Sequence, residues 1–315
     1  MIKHQSPLHL NSYRLKYEPK EQDIPCIIRE VLFAPPCPNE EIAKLIEVSL
    51  NYHNSSLYQQ AIDGYIRAQN LWIEYEYIQR KKELIDMRME DFVEISKNLD
   101  LNEQNERRLA LEKDIEEELK ESMLHKDFLS PQVLVYFRCA IGLVYQSLGS
   151  DDLAISEFME AKKFCSSMNN SDCAIPYSCA GGVFYHVGQF LLANKYFTKA
   201  LEIRRSLLGD NNVDTAISLI NVACSQQCLG EFQNASDLYQ QGIKVLREQL
   251  GHAHPRTETA TRNYNRFKDN FLKHSSFDSV LSTPYQPLEI PIFKLPKADP
   301  NEKKASGKKS TKKKK

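Results

Sequence analysis

Cys179 and His186 stand seven residues apart in the stretch CAGGVFYHVG. A thiol with an imidazole in reach is the combination that nucleophilic catalysis uses. Cys224 and Cys228 are four apart, so on a helix they share one face and supply half of a tetrahedral zinc site. Neither pair is completed. No second His or Cys pair with ligand spacing accompanies Cys224 and Cys228, none of the eight cysteines forms a CxxC, and there is no GxGxxG, P-loop, HExxH or GxSxG. Gly181 occupies a small-residue place that Gly142 and Ala223 fill elsewhere, so packing accounts for the glycines beside Cys179. No catalytic residue, cofactor or metal is expected. The chemistry left is non-covalent, and lies in amides, guanidinium groups and lysines.

The lysines are the plainest of these. The chain of 315 residues has a net charge of −1, yet Lys303, Lys304, Lys308, Lys309, Lys312, Lys313, Lys314 and Lys315 crowd its last thirteen positions with no acid among them. The remainder is therefore acidic. A lysine run without arginine or interleaved aromatics reads no base sequence. It holds polyanions by releasing counterions, so tubulin tails or another polyanion are its expected partners, and a specific nucleic acid is not. The first twenty residues lack an apolar leader core and no run of eighteen apolar residues occurs, so neither secretion nor a membrane span is expected. Scattered unpaired cysteines then fit a reducing, cytoplasmic setting.

The elements that would position such groups are helices. Six of the fourteen prolines fall between Pro7 and Pro38 and five between Pro284 and Pro300. From Pro38 to Pro131 there is none, and one glycine, Gly64. Proline costs about 3 kcal/mol and glycine about 1 kcal/mol inside a helix, so this window is helical. Period-two alternation is rare from 40 to 274, and the fold class is all-α. A sparse pattern also repeats. VGQFLLANKYFTKAL and LGEFQNASDLYQQGI share glycine, phenylalanine, alanine and an aromatic at the same offsets. LGSDDLAISEFMEA and NSSLYQQAIDGYIRA repeat it upstream. The key alanines are Ala61, Ala154, Ala193 and Ala235. The last three are spaced by solenoid periods. Each copy reads as a helix hairpin: Gly149, Gly188 or Gly230 ends the first helix in the last three, and the alanine lets the second helix cross it closely. Asp151 stands where other copies have an aromatic, so the hairpin of the second copy is expected to be less regular.

ALEIRRSLLGDNNVDTAISLINVACSQQCLGEFQNASDLYQQGIKVLREQLGHAHP carries the family resemblance. The chain resembles tetratricopeptide repeat (TPR) proteins, and its last repeats resemble the kinesin-light-chain type, through Leu250, Gly251, His254 and Pro255 and partly through Leu208, Gly209 and Asn212. The resemblance implies a superhelical solenoid whose first helices line a concave groove. It places Tyr136, Cys139, Leu143, Ile175, Tyr185, His186, Ile220, Asn221, Cys224, Arg262, Asn263 and Arg266 on that groove. Asn221 and Asn263, one repeat apart, resemble asparagines that hold peptide backbone. Arg262 and Arg266 would hold acidic side chains.

Five segments follow: an extended N-terminal part at 1–39, a first hairpin at 40–68, a helical insertion at 69–130, the array at 131–273 with a capping last helix, and a proline-punctuated, lysine-rich tail at 274–315. In the insertion Leu71, Ile78, Ile85, Phe92 and Leu99 recur every seven residues, and Leu111, Ile115, Leu119 and Met123 form an i, i+4 row. This reads as a long helix and a returning one with a break at 97–105, either a solvated hairpin or a coiled-coil docking arm. IPCIIREVLFAPPCP at 24–38 and YQPLEIPIF at 285–293 are apolar enough to dock as extended strips on the body or on a partner. The functional expectation is a non-enzymatic adaptor or scaffold that holds a partner's extended peptide in its groove, in the cytoplasm and more narrowly in a cytoskeletal or ciliary assembly. The alternative is a structural subunit whose groove is filled by a neighbour or by its own tails.

Overall fold

The computed structural model describes residues 24–95, 100–124 and 128–273. The described residues form ten α-helices and two short 3-10 turns, with no strand. The helices are α1 (Glu40–Asn54), α2 (Tyr58–Ile95), α3 (Leu101–Leu124), α4 (Pro131–Ser147), α5 (Asp151–Phe164), α6 (Ala174–His186), α7 (Phe190–Leu208), α8 (Val213–Cys228), α9 (Phe232–Leu250) and α10 (Pro255–Lys273). Hairpins α1–α2, α4–α5, α6–α7 and α8–α9 pack in sequence order, and α10 closes the row against α9 and α8.

One packing unit recurs in every hairpin. A ring on the second helix, Tyr65, Phe158, Phe197 or Tyr239, is buried, and Phe158 and Phe197 lie against a glycine on the first, Gly142 and Gly181. The key alanines Ala61, Ala154, Ala193 and Ala235 are wholly buried four places before the rings. A Cβ at Gly181 would lie 2.7 Å from the Phe197 ring, and one at Gly142 would lie 2.5 Å from Phe158. Gly181→Val is therefore expected to lower stability by roughly 1–3 kcal/mol through overpacking, read as a shifted urea midpoint with an unchanged slope. The hairpin turns share a second feature. Gly149, Gly188 and Gly230 have φ of 79°, 77° and 77°, which side chains disfavour. In α1–α2 the corresponding residue is Ser56, with φ 60°.

The irregularity in the hairpin of the second copy does not lie at Asp151. Asp151 opens α5 without disturbing its pairing with α4. It is the far end that stops early, at Phe164, giving way to 3-10 turns at Cys165–Ser167 and Ser171–Cys173. The longer connection makes up for the shorter α5, and the repeat is shorter than the next because α6 has 13 residues where α8 has 16.

The insertion also departs from its expected form. The break is narrower than 97–105, because Asp100 caps α3: its Oδ1 accepts from the Asn102 and Glu103 amides, both at 2.9 Å. The seven-residue row does not make a continuous seam. Ile78 is 53% exposed, and Leu71, Ile85 and Phe92 are half-buried. The cause lies on the other helix, where Ile115 and Leu119 are buried but Leu111 is only partly so. Ion pairs Lys81–Glu116 and Arg88–Glu118 tie α3 to α2 along the rest. Leu99 and the Met123 side chain lie outside the described residues, as do the strip 285–293 and the lysine run 303–315.

Candidate functional site

Residues 24–38 carry no regular secondary structure and touch α10, α8 and α6 near their start and the cluster of α1, α2 and α4 near their end. Two asparagines grip this strap by its backbone. Asn221 on α8 accepts from the Ile28 amide at 2.8 Å and donates to the Ile28 carbonyl at 2.8 Å. Asn263 on α10 does the same to Cys26, at 3.1 and 2.6 Å. In an extended chain the amide and carbonyl of residues i and i+2 face the same way, so one side of the strap meets both amides. Both asparagines are nearly inaccessible, at 1% and 3% exposure, which makes each bond costly to lose. Tyr185 on α6 adds a third backbone contact by donating to the Pro25 carbonyl at 2.7 Å.

The strap's side chains are held as well. Pro25 and Ile28 are buried, and Ile27 lies over Gly182, its Cδ1 3.4 Å from where a Cβ would stand. Cys26, Arg29, Val31 and Phe33 point outward. Glu30 enters a buried ion pair with Arg204 of α7. Arg204 donates through Nη1 to one carboxylate oxygen at 2.9 Å and through Nη2 to the other at 2.7 Å. Their side chains are 4% and 7% exposed. Burial pulls the Arg204 pKa down, but the Glu30 charge and hydrogen bonds outweigh it, and the net shift is upward. Ser218 Oγ also accepts from Arg204, at 2.9 Å.

Beneath the strap lies a layer of thiols and phenols. Tyr239 donates to Cys224 Sγ at 3.3 Å and to Gln227 at 3.0 Å, and Tyr185 Oη lies 3.5 Å from Cys228 Sγ. Burial pushes the Cys139, Cys179 and Cys224 thiols well up, and Cys228 to about 12. Such thiols are poor nucleophiles and poor metal ligands. Cys179 is buried while His186 is exposed at the end of α6, so the two form no working pair. Among the described residues no group of three His, Cys, Asp or Glu side chains is placed to hold a metal, and no helix is long and apolar enough to cross a membrane.

Of the residues placed on the groove, Tyr185, Asn221, Cys224 and Asn263 meet the strap directly, Cys224 Sγ lying 3.9 Å from the Cys26 carbonyl. Cys139 shares the buried cluster with Ile28, and Leu143 and Ile175 edge it. Three placements differ. Ile220 turns away from the groove into the notch at Gly242 on α9, whose missing side chain leaves room for it. Tyr136 packs on Phe137 in the cluster of α1, α2 and α4, where the far end of the strap brings Cys37. His186 faces solvent. Arg262 and Arg266 are exposed on α10, and the buried carboxylate is held by Arg204 instead.

Residues 172–248 match a family model described as tetratricopeptide repeat. Over these residues the array is built of tetratricopeptide repeats. This matched segment covers α6 through most of α9, the hairpins that carry Tyr185, Arg204, Asn221 and Cys224. Among curated proteins, a clustered mitochondria protein homolog of Culex quinquefasciatus is 27% identical over 93 residues, 30% of this chain and 7% of the relative. Its counterpart in Aedes aegypti is 26% identical over 93 residues, 30% of this chain and 6% of the relative. The match thus spans less than a tenth of those proteins. Among solved structures, a putative kinesin light chain of Podosopora anserina with nearly identical TPR-like repeats gives a TM-score of 0.47 at 12% identity, covering 76% of this chain and 91% of that one. BtubC from P. vanneervenii gives 0.42 at 13% identity, covering 81% and 100%.

The TPR register also exposes the residue that sequence reading passed over. Counting eleven places from each key alanine gives Trp72, Cys165, Arg204 and Leu246. Trp72 and Leu246 are core residues, at 4% and 0% exposure. A charge at such a place needs a partner, and an unexplained arginine in a core column was the available signal. Nothing comparable pointed to Glu30, which stands outside every repeat.

Proposed function

We propose that this chain is a non-catalytic interaction scaffold whose TPR groove is a site for an extended peptide, and that its own residues 25–30 occupy that site. The observation that carries the reading is the pair of two-way amide contacts from Asn221 and Asn263 to Ile28 and Cys26. Contacts of this kind fit any extended backbone and would serve a partner's segment equally well. The burial of the Arg204–Glu30 pair favours a second reading, in which the strap stays in place and the filled array is a structural part of a larger assembly. In either case the attachment of the lysine run to tubulin or another polyanion, and with it a cytoskeletal or ciliary setting, is a proposal from charge alone.

Thiol alkylation followed by mass spectrometry of the intact chain tests the occupied groove. Cys26 is exposed and should react quickly, while Cys139, Cys179 and Cys224 should be protected. In the double variant Asn221→Ala, Asn263→Ala the three protected thiols should react at least about tenfold faster, since opening becomes easier by more than one buried hydrogen-bonding group. Unaltered protection would remove the strap from any functional role of these asparagines.

A further inference from the structure

We propose that the groove selects its occupant by a carboxylate two residues beyond the one gripped by Asn221, and that Arg204 is the selecting group. The inference rests on reading the groove as a peptide site. The asparagines cannot select, because they touch only the amide and carbonyl of Cys26 and Ile28, which every residue but proline offers. The side chain over Gly182 is chosen only by size. Arg204 is different in kind. It comes from the second helix of its hairpin, stands in a column that is otherwise apolar or thiol, and is 3% exposed. Its hydrogen bonds inside the array go to neutral groups, the Ser218 hydroxyl at 2.9 Å and the Asp214 carbonyl at 3.5 Å, while the Asp214 carboxylate acts on it through space without a bond. Apart from Glu30 of the strap, the guanidinium has no directly bonded anion among the described residues. The Glu30 carboxylate supplies one in the two-pronged geometry that a guanidinium fits best. An extended segment with a neutral residue there keeps the backbone contacts but leaves the guanidinium without a bonded anion. A basic residue adds repulsion. The partner chemistry is thus an extended peptide that presents an aliphatic side chain over Gly182 and an acid three residues later, spaced as Ile27 and Glu30 are. The chain's own strap is one such peptide, and any competitor must carry the same acid.

The test uses the full chain with Glu30→Gln, which keeps the strap's shape while weakening its hold. The probes are two fluorescein-labelled peptides: residues 22–33 as written in the chain, and a twin with glutamine in place of the glutamate. Fluorescence anisotropy should show the glutamate peptide binding this variant at least about tenfold more tightly than it binds the unaltered chain, and at least about tenfold more tightly than the twin. Arg204→Met should bind both peptides equally, and circular dichroism reports whether that variant keeps its helices. If it does not, the paired peptides on the Arg204-bearing chain still decide. Equal binding of the two peptides there, lost with Asn221→Ala, would overturn selection by Arg204 and leave the peptide site standing. Binding of neither peptide would overturn the exchangeable site, and selection with it.

Discussion

Glu30→Ala is expected to destabilise the folded chain by up to about 3–5 kcal/mol, the usual cost of leaving one member of a buried ion pair alone, with the strap's docking free energy as the ceiling. The size follows from where Arg204 sits. A guanidinium at 3% exposure cannot recover water by swinging outward, and Ser218 and the Asp214 carbonyl meet only part of its donor capacity. Removing both partners is a different experiment. Arg204→Met with Glu30→Leu takes away two desolvated charges together and leaves apolar volume in a column that already holds Trp72 and Leu246. That double change should cost far less than Glu30→Ala. Chemical denaturation of the three chains checks the order. A small loss for Glu30→Ala, below about 1 kcal/mol, is what an exposed ion pair gives and would mean that the pair is not closed to water in solution.

Asn221→Leu is the second large effect. Leucine fills the volume but strands the Ile28 amide and carbonyl, at roughly 1–3 kcal/mol for each buried group. The chain has an escape, however, because the strap can leave the groove rather than bear that cost. The loss of stability then saturates at the free energy with which the strap docks. Denaturation and thiol reactivity separate the two limits. A loss above about 2 kcal/mol with protected thiols means a strained but docked strap. A smaller loss with reactive Cys139 and Cys224 means release, and measures docking directly. No loss and no change in reactivity would mean that Asn221 does not hold the strap.

Much of the array is readable from the letters because its determinants are local and repeated. Ala154, Ala193 and Ala235 are invariant in role, since helix crossing distance depends on one small side chain and its ring four residues on. Gly149, Gly188 and Gly230 mark turns through their own backbone freedom. The asparagines are readable as backbone-holding groups only through the resemblance to kinesin-light-chain repeats. The insertion reads less well. Its seven-residue row is a property of α2, but burial needs apolar residues on α3 as well, and α3 supplies Ile115 and Leu119 with charged pairs around them. Ile220 reads wrongly for a similar reason, since Gly242 lies on another helix and leaves a notch that only packing reveals.

The sequence determined the helix hairpins, their order, the small-residue crossings and the apolar character of residues 24–38. These follow from periodicity, backbone freedom and composition over short stretches, where neighbours in the chain are neighbours in space. The tertiary structure decided where residues 25–30 lie. Cys26 and Asn263 are 237 residues apart in the chain, and Glu30 and Arg204 are 174 apart. No local rule connects them. An extended strap has no hydrogen-bond partners of its own, and it takes its place where two buried amides and one buried guanidinium complete its unpaired groups.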